Sequence, residues 1–161
     1  AYLMPFTDVK PEHQHWEAIQ KIGATGILRG TGKAEGWGNK MFFYPDSLVR
    51  REETEANITD YLPEFSKWRT NHSIEDSLLT VGAAFRLLED FYNAAQATYS
   101  FYPSIIGDVF RSGNFEKNWN NIGLENYQQT RHIKRFELAA LFESLLNPFN
   151  LKGKNISIQG K

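Results

Sequence analysis

The sequence predicts a mainly α-helical, compact domain of about five helices, with one long central helix and short extended segments. Its 161 residues are the size of one domain, and 41% hydrophobic and 14% aromatic residues supply a core. Apolar residues recur at helical spacing in several separate stretches. No tract rich in Pro, Ser and Gly divides the chain, which favours a single domain over residues 1–161.

Charge and composition exclude several classes of protein. Lysine and arginine number 18 against 19 acidic residues, a formal net charge of -1. Nucleic acid and anionic lipid both require a concentrated basic face, so we predict no nucleic-acid partner. No apolar run approaches the ~20 residues that cross a bilayer, so we predict no membrane-spanning segment. Without cysteine, disulfides, thiolate catalysis and thiolate metal sites are excluded.

The first predicted elements are a helix and a loop. Apolar spacing indicates a helix over residues 12–24, which Gly23 and Gly26 end. A glycine-rich loop follows over residues 30–38, and the apolar run 41–44 is predicted to be extended.

Four more helices follow. The second has its buried stripe at Ile58, Tyr61, Leu62 and Phe65. The third, the long central helix, begins with Ser73 as its N-cap and ends before Pro103. Its apolar stripe consists of Ile74, Leu78, Val81, Phe85, Leu88, Tyr92, Ala95 and Tyr99. A short helix over 104–112 and a last one over about 134–146 complete the set, and 155–159 is a candidate strand.

Two of the predicted helix starts resemble each other. Residues 49–53 and residues 133–137 both read as an aliphatic residue, a base, an arginine, a variable residue and a glutamate. In each case a loop with aromatic residues precedes the helix. Self-similarity of this kind predicts a pseudo-repeated fold.

The first third of the chain also carries an ordered set of short motifs. They are Phe6-Thr7-Asp8-Val9, His15-Trp16, Glu17-Ala18-Ile19, Gly26-Ile27, Gly30, Phe43-Tyr44-Pro45-Asp46, and Val49 with Arg51 and Glu53. In order and spacing these motifs resemble one S-layer homology repeat over about residues 6–55. Residues 115–146 resemble a degenerate second copy.

The resemblance divides the chain into three parts. We place an S-layer-homology-like motif at 6–65, a helical insert or diverged middle at 66–114, and a second motif at 115–150. Whether the middle holds a third, diverged repeat stays open at this point.

The resemblance implies a non-catalytic module of a larger bacterial protein at the cell envelope or secreted from the cell. Such a module binds cell-wall or capsular polysaccharide. The polymer pockets of the family depend on the arginine of a T-R-A-E element, which here is Arg51 and Arg135. Matched by position, Glu53 and Asp46 are ligand-binding candidates beside them.

Departures from the family pattern leave a second interpretation open. The motif threonine, which caps the helix, is Arg50 in one copy and Lys134 in the other, so the cap is lost while the glutamate three residues on remains. A degenerate module of this kind is similar to C-terminal accessory domains that pack on the catalytic domain of their own parent chain. Such parents include flavin-dependent oxidoreductases and polysaccharide lyases.

Residue chemistry supports some of these sites. Each motif arginine presents a planar fork to a carboxylate, pyruvyl ketal or phosphate on a polymer. The structural alternative is an ion pair with Glu53, Glu137 or another acid. Trp37, between two glycines, is the best exposed candidate for stacking on a sugar ring, whereas Trp16 is expected in the core.

Other chemistries lack their residues. His13 and His15 have no further ligands at metal spacing, so we predict no metal. The glycines of residues 30–33 lack the spacing of a phosphate-binding loop, so we predict no cofactor. The acids of residues 52–55 share one helix and do not face each other across a cleft. We therefore predict no catalytic residue and no enzyme activity in this chain.

Overall fold

A computed structural model describes residues 4–69 and 78–151. The helices in those ranges are α1 (Trp16–Thr25), α2 (Arg51–Tyr61), α3 (Phe65–Trp68), α4 (Val81–Tyr99), α5 (Ser104–Ser112), α6 (Phe115–Asn121) and α7 (Arg135–Leu145). The strands are β1 (Thr31–Glu35) and β2 (Gly38–Phe42), and a further helical turn covers 148–151. The fold is mainly α, as predicted, with more helices than the expected five. The candidate strand 155–159 lies outside the described residues.

The first helix begins later than its apolar spacing predicted. Residues 11–15 form turns, and the N–H of Trp16 donates to the carbonyl of His13 at 3.0 Å. Gly26 ends the helix in the left-handed conformation, with φ of 82°. Gly23 does not end the helix but lies buried inside it. A side chain would not fit at this position, because a Cβ would be 2.8 Å from the ring of Phe6.

Most residues of the predicted glycine-rich loop belong to a β-hairpin. Strands β1 and β2 pair antiparallel with Glu35 opposite Gly38, which leaves Gly36 and Trp37 as a two-residue turn. Gly36 has φ of 59°, the positive value that tight hairpin turns require. Glycine is depleted in strands, so the composition of this segment concealed them. The extended run predicted at 41–44 is confirmed as far as Phe42.

The long central helix begins at Val81 and not at the predicted Ser73, which lies outside the described residues. Thr80 is its N-cap, and the Thr80 hydroxyl accepts the N–H of Ala83 at 3.1 Å. Leu78 precedes the helix in an isolated antiparallel bridge with Arg50. The apolar stripe therefore continues across a change from extended chain to helix.

Three helices begin around one point of the molecule. We call the segments entrance A (49–53, before and into α2), entrance B (79–83, into α4) and entrance C (133–137, into α7). The N–H of Val49 donates to the carbonyl of Ile133 at 3.3 Å, that of Ile133 to Leu79 at 2.9 Å, and that of Leu79 to Val49 at 2.9 Å. These three bonds close a ring, so the middle of the chain contributes a third entrance.

Two entrances also rest on a neighbouring loop through the same pair of bonds. The bonds, 2.8–2.9 Å long, are Arg135 N–H to Ser47 O and Phe136 N–H to Pro45 O for entrance C, and Val81 N–H to Arg131 O and Gly82 N–H to Gln129 O for entrance B. Entrance C thus sits on the loop before entrance A, and entrance B on the loop before entrance C. The pseudo-repeat is a property of the backbone as well as of the sequence.

One core lies beneath the entrances. Its largest fully buried side chains include Trp119, Phe43, Phe65, Phe85, Phe91 and Phe142. Phe85 stacks on Phe115 with ring centroids 4.5 Å apart, and Phe91 meets Phe142 edge-on at 5.2 Å. Trp16 is half-buried and packs against this core, which agrees with its predicted role.

Candidate functional site

The two motif arginines occupy the same helical position, the first residue of α2 and of α7, but differ in their contacts. Arg135 is half-buried. Its Nε donates to the carbonyl of Phe43 at 2.8 Å, and its Nη2 donates to the carbonyl of Arg29 at 2.7 Å. Its guanidinium carbon lies 4.7 Å from the centroid of the Phe43 ring. Arg135 therefore fastens α7 to the segment around the hairpin.

The electrostatic surroundings of Arg135 are consistent with this structural role. Burial lowers the pKa of Arg135, while the nearby carboxylates of Glu53 and Asp8 raise it. The Asp8 carboxylate also accepts the N–H groups of Phe43 and Tyr44 at 2.8 and 2.7 Å. In the sequence, Asp8 was only one residue of a motif. In the structure, its carboxylate holds the backbone of Phe43 in place beneath Arg135.

Arg51 has no such partners. It is half-buried, yet its Nε is fully buried and makes no hydrogen bond. No hydrogen bond or ion pair joins its side chain to any other residue in the part of the chain that the structure describes. A buried charged donor without an acceptor is costly, so Arg51, unlike Arg135, is left unsatisfied by the described residues.

The third equivalent position has lost its arginine. Entrance B carries Val81 there, and its side chain is fully buried. Val81 cannot donate a hydrogen bond to an anion. Of the three entrances, B therefore has no arginine and C uses Arg135 to hold the fold, whereas the Arg51 side chain of A has no partner among the described residues.

The two motif glutamates differ in the same way. Glu137 is 5% exposed and accepts the N–H of Lys134 at 2.8 Å, as the glutamate of a capping box does. It also pairs with Arg131 through two parallel bonds of 3.1 and 3.0 Å. Glu53 is exposed, and its carboxylate accepts no hydrogen bond from any described residue.

The structural alternative raised from the sequence is therefore wrong in its detail. Across residues 4–69 and 78–151, neither motif arginine forms an ion pair with an acid. Arg135 is held by carbonyl oxygens instead, and the partner of Glu137 is Arg131. Neither Arg50 nor Lys134 caps its helix with a side-chain hydrogen bond, so the predicted loss of the threonine cap is confirmed, while Glu137 keeps its contact with the Lys134 N–H.

The remaining two candidates lie on exposed turns. Asp46 is exposed in the turn before entrance A, and it shares no described hydrogen bond or ion pair with either motif arginine. Trp37 is at the hairpin tip with 106% of its reference area exposed, and the length of β2 separates it from Phe43. The structure thus does not gather the predicted residues into one pocket.

A polar cleft of about 300 Å³ lies between the start of α1 and entrance C. His15, Lys134 and Phe136 are among its lining residues. The rings of His15 and Phe136 stack with centroids 5.8 Å apart. Burial, followed by the nearby His13, lowers the pKa of His15. The sequence offered no signal for this cleft, because its walls come from opposite ends of the chain.

The described residues contain neither a metal-binding cluster nor a membrane-spanning helix. No group of three histidine, aspartate or glutamate side chains in 4–69 and 78–151 is arranged to hold a metal ion. No helix in the same ranges combines the length and apolar character needed to cross a membrane.

The comparisons with known proteins agree with the motif at the start of the chain. Neither the curated proteins nor the solved structures contain a match. The family model of the S-layer homology domain matches residues 5–55, which cover α1, the hairpin and entrance A. This domain is a non-catalytic anchoring domain of the cell surface or envelope and commonly binds cell-wall polymers. Residues 5–55 are thus a match to the S-layer homology family, as the motifs predicted.

Proposed function

We propose that this chain is a non-catalytic module that attaches or orients a larger bacterial envelope or secreted protein at cell-wall or capsular polysaccharide. The observation that carries the proposal is the buried Nε of Arg51, which has no hydrogen-bond partner among residues 4–69 and 78–151. It occupies the position whose arginine the family uses for polymer binding.

The chemistry of Arg51 suits an anionic group on a polymer. A guanidinium binds a carboxylate, pyruvyl ketal or phosphate through two parallel charge-assisted hydrogen bonds. The Nε–H is buried and unpaired among the described residues, and an anion that reaches the exposed part of this half-buried side chain compensates its charge. Glu53 lies two residues after Arg51 and is exposed, so its negative charge disfavours a second anion close by.

Binding to purified wall material tests the proposal. We expect the chain to sediment with bacterial walls that retain their polysaccharide, in a salt-sensitive manner. Arg51→Ala should lower the bound fraction at least ~10-fold, which corresponds to the loss of a charged hydrogen bond. Arg50→Ala is the matched control, because Arg50 is adjacent, exposed and makes no side-chain cap.

Two outcomes would overturn the proposal. One is the absence of binding to wall preparations and glycans of any kind. The other is equal binding by Arg51→Ala and the unsubstituted chain.

A second function is favoured by the state of the other two entrances. Arg135 is used by backbone carbonyls, and Val81 replaces the third arginine. Such losses fit an accessory domain that packs on the catalytic domain of its own parent chain, an oxidoreductase or a lyase. A stable complex with a separately expressed catalytic domain of the parent, unaffected by Arg51→Ala, would favour this second function over the first.

A further inference from the structure

We propose that the turn leading into α1 is a pH-sensitive switch, in which a proton on Nδ1 of His13 releases this turn from entrance C. We call residues 13–16 the α1 turn. The switch is a conformational device of the fold itself. It does not involve Arg51, so it does not depend on the proposed function.

The α1 turn is held by a hydrogen bond whose acceptor is a histidine ring. The N–H of His15 donates to Nδ1 of His13 at 3.0 Å. Only an unprotonated ring nitrogen accepts a hydrogen bond, so the neutral His13 ring carries its proton on Nε2. Histidine side chains ordinarily change charge between about pH 5 and 8. A second proton, on Nδ1, turns this acceptor into a donor that faces the N–H of His15.

The start of α1 has little else to hold it in place. His15 is the N-cap residue and makes no side-chain cap. The backbone adds one bond within the turn, from the N–H of Trp16 to the carbonyl of His13 at 3.0 Å. Gln14 reaches the carbonyl of Gly123 in the facing loop only at 3.4 Å, on the surface. The bond to the His13 ring is therefore a substantial part of what orders this turn.

Both histidine rings also pack on entrance C. The centroid of the Phe136 ring lies 5.4 Å from that of His13, edge-on, and 5.8 Å from that of His15, stacked. The two imidazoles are 6.2 Å apart. Neutral rings in this arrangement attract each other, whereas two protonated imidazoles at the same separation repel. His15 is only 9% exposed, so water screens this repulsion poorly.

Charged groups on the facing elements do not remove this repulsion. Those that line the cleft beside His15 are Glu125, Arg131, Lys134 and Glu137, and those next to the turn in the chain are Lys10, Glu12 and Glu17. Arg131 and Glu137 are paired with each other. Burial and then His13 lower the pKa of His15, while the Gly123 carbonyl and Glu137 raise it. The balance disfavours a second positive charge beside His13.

The release is confined to the start of α1. Farther along the helix, Ile19 and Ile22 are fully buried in the core, and apolar contacts do not titrate. A proton on His13 therefore opens the turn while the rest of α1 stays packed. Because His15 and Phe136 both line the polar cleft, the opening also widens the cleft.

Nuclear magnetic resonance of the isotope-labelled chain tests the switch across the pH range in which histidine titrates. The scalar coupling between the His15 amide nitrogen and Nδ1 of His13 reports the hydrogen bond, and nuclear Overhauser effects between the His15 and Phe136 rings report the packing of the turn. His13→Asn is the matched variant, because an asparagine side-chain oxygen accepts the N–H two residues on and does not titrate. His13→Phe keeps a ring beside Phe136 but has no acceptor.

In the unsubstituted chain we expect the coupling and the ring contact at the alkaline end of the range, with the His13 proton on Nε2. Both should be lost towards the acidic end, where the ratio of open to closed turn rises up to about 10-fold per pH unit for each proton taken up. The resonances of Ile19 and Ile22 should stay in place. The contact between His15 and Phe136 should persist across the range in His13→Asn and should not depend on pH in His13→Phe.

Several results would overturn the switch. They are a proton on Nδ1 of His13 at the alkaline end, a ring contact that survives acid in the unsubstituted chain, and an equal loss of this contact in His13→Asn. Simultaneous changes at Ile19 and Ile22 would mean unfolding of the whole helix and contradict a local release. None of these results depends on whether the chain binds bacterial walls.

Discussion

Entrances A and C carry the same five-residue signature and use it differently. In entrance C, Arg135 and Glu137 are both bonded within the fold, to backbone carbonyls and to Arg131. In entrance A, the side chains of Arg51 and Glu53 make no hydrogen bond to described residues. The motif therefore places an arginine at the first residue of the helix, whereas the contacts with the neighbouring loop determine whether that arginine is available to a ligand.

The largest expected effect concerns the two glutamates. Glu137→Ala should lower the free energy of unfolding by about 3 kcal/mol, because it leaves the mostly buried Arg131 without its partner and removes the bond to the Lys134 N–H. Glu53→Ala should change it by less than ~0.5 kcal/mol, since Glu53 is exposed. Denaturant unfolding of the two variants measures both values. Equal losses would mean that the two entrances are not different.

The two arginine substitutions are expected to differ in their stability cost by somewhat less than the two glutamate substitutions. Arg135→Ala should cost about 2–3 kcal/mol, from two charged hydrogen bonds and the contact with the Phe43 ring. Arg51→Ala should cost less than ~1 kcal/mol, because no bond is lost. Thermal unfolding monitored by circular dichroism checks the order of the two variants. A larger loss for Arg51→Ala would contradict the assignment of roles.

Restoring a helix cap has a smaller effect. Thr80 caps α4, whereas Arg50 at the same position of entrance A does not cap α2. Arg50→Thr should therefore raise the free energy of unfolding by about 1 kcal/mol, and Thr80→Ala should lower it by a similar amount. Both are measured by urea unfolding. Destabilisation by Arg50→Thr would show that the two helix starts are not equivalent.

The smallest effect is a pH dependence from His15. Its pKa lies below the ordinary 6.5 because of burial and then His13, opposed by Glu137. The folded chain therefore binds fewer protons than the unfolded chain. The contribution of His15 to the free energy of unfolding is fully present above about pH 6.5 and is lost as the pH falls below that value. Between about pH 7.5 and 5.5 the unsubstituted chain should lose more stability than His15→Gln.

The comparison with His15→Gln is needed because two carboxyls act in the opposite direction. Burial raises the pKa values of Glu89 and Glu143, so their stabilisation is lost as the pH rises above about 4.5. Both glutamates are present in the unsubstituted chain and in His15→Gln, so their effects on stability cancel when the two pH profiles are subtracted. Parallel pH profiles of the two chains would contradict the effect assigned to His15.

Much of the fold was predictable where local spacing determines it. The helix starts at Arg51 and Arg135 and the helix Ser104–Ser112 are confirmed. The hairpin was missed, because its glycines serve a turn with positive φ and weaken the strand pattern. Entrance B was missed, because it keeps the aliphatic residue (Leu79) and the family's threonine (Thr80) but has neither the arginine nor the glutamate. The single domain over residues 1–161 stays a prediction.

The candidate site was less predictable for a physical reason. The carbonyls that satisfy Arg135 lie 92 and 106 residues away in the sequence. Nothing near Arg135 in the chain indicates them, and Arg51 looks the same locally. The position of each arginine could be read from its motif, but its bonding depends on which loop packs against it.

Side-chain NMR distinguishes an Arg51 that is available to a ligand from an Arg135 that is bonded within the fold. The Nε–H resonances of Arg51 and Arg135, assigned with the Arg51→Lys and Arg135→Lys variants, are followed while acidic fragments hydrolysed from bacterial wall polysaccharide are added. We expect the Arg51 Nε–H resonance to shift with saturation, and the Arg135 Nε–H resonance, whose proton is bonded to the Phe43 carbonyl, to stay in place. A shift of Arg135 alone, or of neither resonance, would contradict this expectation.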